Sequence, residues 1–287
     1  MDYEVVADVP CELGEGPLWH PLEKKVYWTD IHRKTLYQYD PATGQHAPLD
    51  YEGTMVGGFT FQADGSLLLF REGGNVAVWR DGEITKTVLE TIPGEENRRF
   101  NDVWADPEGR VYCGTLGYKD EPGGFFMLDT DGTVTKLIDV VKCSNGMGMT
   151  PDLKGLYYTE TFEQTIWLFD YDRATGGLSN KRAFVQIPKE NGFPDGMKTD
   201  AEGRVWSAHW EGWGVTCFGP DGKIVKQIKV PAKCTTSVCF GGEDLSQMYI
   251  TSAGGEDRKA NGEYAGALIR VDPGGRGVVE NLSRVLC

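Results

Sequence analysis

Apolar and polar positions alternate along this chain in short runs, each ended by a turn signal, and no long segment carries the 3.6-residue apolar period of a helix. One turn-plus-strand unit recurs: "HPLEKKVYWTD" from His20, "QADGSLLLF" from Gln62, "ADPEGRVYCGT" from Ala105, "TPDLKGLYYTE" from Thr150, "TDAEGRVWSAH" from Thr199 and "GGEDLSQMYITSA" from Gly241. A second series lies between them, as in "LYQYDPATG" from Leu36, "IWLFDYDRATGGL" from Ile166 and "LIRVDPGGRGV" from Leu268. Each unit makes two hairpin-like halves and returns roughly every 40 to 50 residues, the size of a four-stranded propeller blade. Six units fill the chain. The pattern predicts an all-β, six-bladed β-propeller occupying residues 1–287 as one domain, with low helix content. The stretch "YEVVADV" near the N-terminus has strand character and no partner in its own unit, so it is expected to pair with the last blade and close the ring. A pair of β-sandwiches competes, but leaves the sixfold repeat unexplained.

The segments entering each unit's first strand align as "GEGPLW", "VGGFTF", "FNDVWA", "SNGMGM", "PDGMKT" and "TTSVCF". Their second positions are Glu15, Gly57, Asn101, Asn145, Asp195 and Thr236. In a propeller the innermost strands line the central channel, so equivalent positions converge on its axis. Two carboxylates brought together there, with no basic residue at that phase, repel unless a cation sits between them. With amide oxygens and waters beside them they suit a hard divalent cation. Any one of these residues alone reads more simply as a turn or cap residue; four in register favour a shared metal site.

Composition narrows the picture. Seven cysteines form no C-x-x-C pair and four histidines show no metal-ligand spacing, so a disulfide framework and a thiolate zinc site are not indicated, and a metal site would be built from oxygen. The formal net charge of −14 argues against nucleic acid and anionic membranes as partners. No apolar run is long enough to cross a bilayer and no secretory signal opens the chain, so a cytoplasmic protein is expected. A nucleophile elbow, a P-loop and an EF-hand loop are all missing.

The motifs "LGEGPLW", "RFNDVWADPEGRVYCGT", "CSNGMGMTPD", "FPDGMKTDAEGRVW" and "KCTTSVCFGG" resemble the SMP-30/gluconolactonase family, also called the regucalcin family, in family order and over essentially the whole chain. The resemblance implies a propeller with one divalent metal in the channel that hydrolyses sugar lactones. Glu15, Asn145 and Asp195 then correspond to the protein's metal ligands, and Asp195 also to the catalytic base. Arg99 and Asn101 correspond to substrate contacts, Asn101 near the metal. After the "GT" of the third blade, animal members carry acidic residues that reach the substrate. Here the text is "GTLGYKDEPGG", with Tyr118 and Lys119 near those places and Asp120 and Glu121 just beyond, so the sugar pocket is expected to differ.

Lys119 is a candidate substrate contact, as is Trp210, which could stack on a sugar ring or pack in the core. Arg99 could instead join a salt-bridge group with Glu95, Glu96 and Arg98. His209 reads as structural. The loop Ala253–Gly266 either covers the channel entrance or is a solvated insertion. The leading expectation is metal-dependent hydrolysis of an aldonolactone, with calcium, zinc, manganese, magnesium or iron as the ion and a monomer or weak homodimer as the assembly. Two rivals are a calcium-binding regulatory propeller without catalysis, and a hydrolase of another ester or a phosphotriester.

Overall fold

The repeated units form six four-stranded antiparallel sheets, the blades of a β-propeller, in a computed structural model that describes residues 3–117, 119 and 121–287. The innermost strands are Gly14–His20, Val56–Phe61, Phe100–Ala105, Ser144–Met149, Phe193–Thr199 and Cys234–Gly241, one in each of blades one to six. Each lies against the innermost strand of the next blade, and blade six against blade one. Burial falls from the axis outward. Val56–Phe61 and Ser144–Met149 are buried along their whole length, whereas the outer strand Gln45–Pro48 is exposed throughout. Inner strands covered on both faces therefore do not show the clean alternation of a half-buried strand.

Apolar seams between adjacent blades hold the ring together. Trp206, Val215 and Cys217 of blade five pack on Val238, Phe240 and Ile250 of blade six, and Leu68, Phe70 and Val76 of blade two on Phe100, Val111 and Cys113 of blade three. The turns are set by their first residue. In "DAEGR" Asp200 accepts the backbone N–H groups of Glu202 (3.0 Å) and Arg204 (2.9 Å), and its other oxygen takes the Arg204 guanidinium at 2.6 Å. Asp106 and Arg110 repeat the arrangement in "DPEGR". Gly203 supplies the left-handed turn residue, with φ of 78°. Tyr3–Ala7 pairs with Leu268–Val271 as the outer strand of blade six, so strands from both ends of the chain complete one sheet.

Residues 272–287 form a strap. The repeat reads 272–278, in "LIRVDPGGRGV", as the turn and strand after Leu268–Val271, whereas the chain leaves the blade there, and the repeat does not foretell the rest. The strap runs from blade six under blade five, where Gly277 bridges Asp200, and on to blade two, where Ser283 bridges Gln62. Asn281 donates to the Ala105 carbonyl, Arg284 N–H to the Gly109 carbonyl, and Val285 is fully buried in the seam between blades two and three. The strap crosses the channel at the C-terminal ends of the inner strands. The residues that line up as candidate ligands stand at the opposite, N-terminal ends.

Candidate metal and active site

A β-bulge interrupts every inner strand where the candidate residues sit. Pairing jumps by one extra residue between Glu15 and Leu18, Val56 and Gly58, Phe100 and Val103, Ser144 and Met147, Pro194 and Met197, and Thr235 and Ser237. A bulge bends the strand and re-aims side chains that a regular pleat would send alternately to either face. It also allows a close approach between blades. A Cβ on Gly146 would stand 2.2 Å from the Met197 backbone nitrogen, so only glycine fits beside blade five.

The bulged residues are tied together laterally. Arg99 Nη1 donates to Asn101 Oδ1 at 2.7 Å and to the Phe100 carbonyl at 3.0 Å. Asn101 Nδ2 donates to the Ser144 carbonyl at 2.7 Å and to Asn145 Oδ1 at 3.1 Å. Asn145 Nδ2 donates to Thr161 Oγ1 at 2.7 Å, and that hydroxyl donates to the Pro194 carbonyl at 2.9 Å, one residue before Asp195. On the far side Thr236 Oγ1 donates to the Gly14 carbonyl at 2.6 Å, one residue before Glu15. The Asn145 oxygen is fixed because its amide nitrogen is already committed to Thr161.

Glu15 and Asp195 are 4% and 5% exposed, and among the described residues neither forms an ion pair. Burial raises the Asp195 carboxyl well above the usual carboxylate range. The charges of Glu15 and Asp102 add to this, while the Gly196 N–H and Arg99 oppose it. Glu15 is raised in the same way, by burial first and then by Asp102. Asp102, beside Asn101 in the third bulge, is pushed up to about 6 by burial, against the pull of Lys198 and Arg99. Buried carboxylates that repel one another mark a place where positive charge is missing. Among the described residues no three His, Cys, Asp or Glu side chains gather as a metal cluster, so amide oxygen must complete any donor set. Glu15, Asp195 and the Asn145 oxygen together could hold a hard divalent cation.

Arg99 turns inward to Asn101, and its neighbour Arg98 makes the salt-bridge group. Arg98 lies 3.8 Å from Glu95 and 3.2 Å from Glu121, and Glu95 accepts the Thr115 hydroxyl at 2.7 Å. Glu15, Asn101, Asn145, Asp195 and Arg99 therefore form one group. Lys119 stands exposed in the turn leading to Glu121; Tyr118 and Asp120 lie outside the described residues. Trp210 is half-buried against the cluster of Leu13, Ile31, Cys234 and Ala253. His209 is buried, with Nδ1 2.9 Å from the Asn191 carbonyl. The 253–266 loop carries a short 3₁₀ turn at Arg258–Asn261, and its Asn261 and Gly262 lie against Lys233 and Pro231 of the segment before blade six.

Asp102 and Cys143 escaped the sequence reading. Asp102 directly follows Asn101, and a regular pleat would point it away from the axis; nothing local announces the bulge. Cys143 is partly buried two residues before Asn145, whose Nδ2 lies 3.6 Å from its sulfur. Burial and the nearby Asp195 charge raise its thiol.

The molecule is thus a six-bladed propeller with a buried carboxylate and carboxamide cluster at one end of its channel. A sequence profile of the SMP-30/gluconolactonase/LRE-like region matches residues 13–254. The chain belongs to this family. It is 44% identical to pentonolactonase XacC of Haloferax volcanii, over 98% of this chain and 97% of that protein. It is 34% identical to human regucalcin, over 87% and 86% of the two chains. The solved structure of a calcium-binding regucalcin from Agrobacterium tumefaciens superposes with a TM-score of 0.87 at 27% identity, covering 98% and 96% of the chains.

Proposed function

We propose that this protein hydrolyses a sugar lactone to its aldonic acid, with Glu15, Asn145 and Asp195 holding one divalent cation. The observation that carries the reading is the unneutralised pair Glu15 and Asp195, buried beside two carboxamides and an inward-turned arginine. A cation held there supplies polarisation of the lactone carbonyl and acidification of water. Asp195 accepts a proton from the attacking water as that water's oxygen bonds to the carbonyl carbon. The bond from that carbon to the ring oxygen breaks, and the proton passes from Asp195 to the leaving oxygen. Arg99 has donors beyond those used on Asn101 and Phe100, and these orient substrate hydroxyls. Asn101 holds both Arg99 and the Asn145 oxygen in place. The similarity to a pentonolactonase favours five-carbon lactones over hexonolactones.

Proton release from a panel of pentono- and hexonolactones, corrected for spontaneous hydrolysis, tests this. The expected result is faster turnover of a pentonolactone, lost by about 100-fold or more in Asp195→Asn. Equal rates for wild type and Asp195→Asn would remove the assignment of Asp195. No turnover of any lactone in the presence of divalent cations would remove the lactonase reading.

A further inference from the structure

Beneath the bulges the channel continues to the strap. A small cavity touches Gly16, Asp102, Val103, Met197, Lys198 and Ser237. A larger one, of about 300 Å³, lies between the inner strands and the strap and shares Trp104, Met147 and Lys198 with the first. Lys198 therefore stands between the cluster and the strap. Its ammonium meets both oxygens of Glu280, at 2.7 and 2.9 Å, with the two side chains 13% and 14% exposed. Glu280 belongs to the strap, which is fastened on either side of it by the Gly277–Asp200 and Ser283–Gln62 bridges.

We propose that Lys198 is a positioning residue of the hydrolytic site, acting through Asp102, and that the strap holds it there through Glu280. Glu15 and Asp195 stand at the bulges, Asp102 lines the small cavity next to them, and Arg99 is bonded toward Asn101. Lys198 is the cation placed below them. Held by Glu280, it lines the same small cavity as Asp102 and offsets that carboxylate from the strap side, so that Arg99 and a bound cation are left to act on the carbonyl end. Carboxylate charge next to the reacting carbonyl opposes the negative charge that grows on its oxygen; the neutral lactone in the ground state feels this far less. Lys198 is therefore expected to govern kcat and to leave KM nearly alone. The neighbouring inner-strand positions Met197 and Phe240 are apolar. Burying a paired charge there costs desolvation that an apolar residue would not.

The proposal rests on the lactonase reading, and its test separates the two. With the lactone that the wild type turns over best, Lys198→Met is expected to lower kcat about tenfold with KM changed less than about twofold, and Lys198→Arg to recover most of the loss. Glu280→Gln should fall between wild type and Lys198→Met. In the Asp102→Asn background the Lys198→Met change should cost little more, because the group it acts through is gone. Multiplying losses in the double variant, or a rise in KM alone, would overturn the proposal. Independently of turnover, calorimetry of Ca²⁺ binding at pH 8 should show Lys198→Met binding at least about threefold more tightly, since a positive charge has been removed from beneath the carboxylates. If no lactone is hydrolysed, the lactonase reading fails while this binding shift still stands or falls by itself; unchanged affinity in folded Lys198→Met would overturn the role of Lys198.

Discussion

Asp195 and His209, on the first two strands of blade five, respond to burial in opposite directions. Without a bound cation Glu15, Asp102 and Asp195 hold protons in the folded state that the unfolded chain releases above about pH 4. Their contribution to stability is present below that value and is lost as pH rises through the folded values, about 6 for Asp102. Burial lowers His209 to about 4, so its contribution is present above the unfolded value of about 6.5 and is lost as pH falls through the folded one. We expect wild type to lose about 2 kcal/mol more than His209→Gln between pH 7 and pH 4.5, read from denaturant midpoints on cation-loaded protein. Glutamine keeps a donor for the Asn191 carbonyl. Equal losses would mean that His209 is not held neutral.

At the scale of the strand, the inner-strand bulge is the device that makes the site. The four polar residues were legible in the sequence because the repeat brought them into register. Asp102 was not, since its direction depends on an extra residue that no local propensity marks. The glycines were visible too, but their reason is a neighbouring blade far along the chain. Gly146→Ala drives a Cβ into the backbone of Met197, which cannot move without parting blades four and five. We expect a loss of about 2 kcal/mol or more in denaturation experiments, together with weaker cation binding, because Asn145 and Asp195 lie in the two strands that must separate. A variant as stable as wild type would show that the two bulges can relax independently. Arg98 and Arg99 teach the same lesson. Adjacent in sequence and equal in chemistry, they point to different partners, Arg98 to Glu95 and Glu121, Arg99 to Asn101, and only the geometry distinguishes them.

Over the whole molecule, the sixfold repeat made the propeller readable because each blade repeats the same hairpins and the same aspartate-led turns. Past residue 278 the strap had no repeat to reveal it. Its hydrogen bonds join Ser283 to Thr60 and Phe61 and Val285 to Gln62, pairs more than two hundred positions apart. It bounds the channel on the side away from the carboxylates, and through Glu280 it reaches the residue beneath them. The central claim is that the carboxylate pair at the other end is a cation site on which lactone hydrolysis depends. The most direct test strips the protein with a chelator, adds back a divalent cation stepwise, and follows binding and lactone turnover on the same samples. Turnover that is absent from the stripped protein and rises to a plateau at one bound equivalent, with both signals lost in Glu15→Gln, is the result expected. Full turnover without cation, or one equivalent bound in the wild type with no turnover of any lactone, would contradict it.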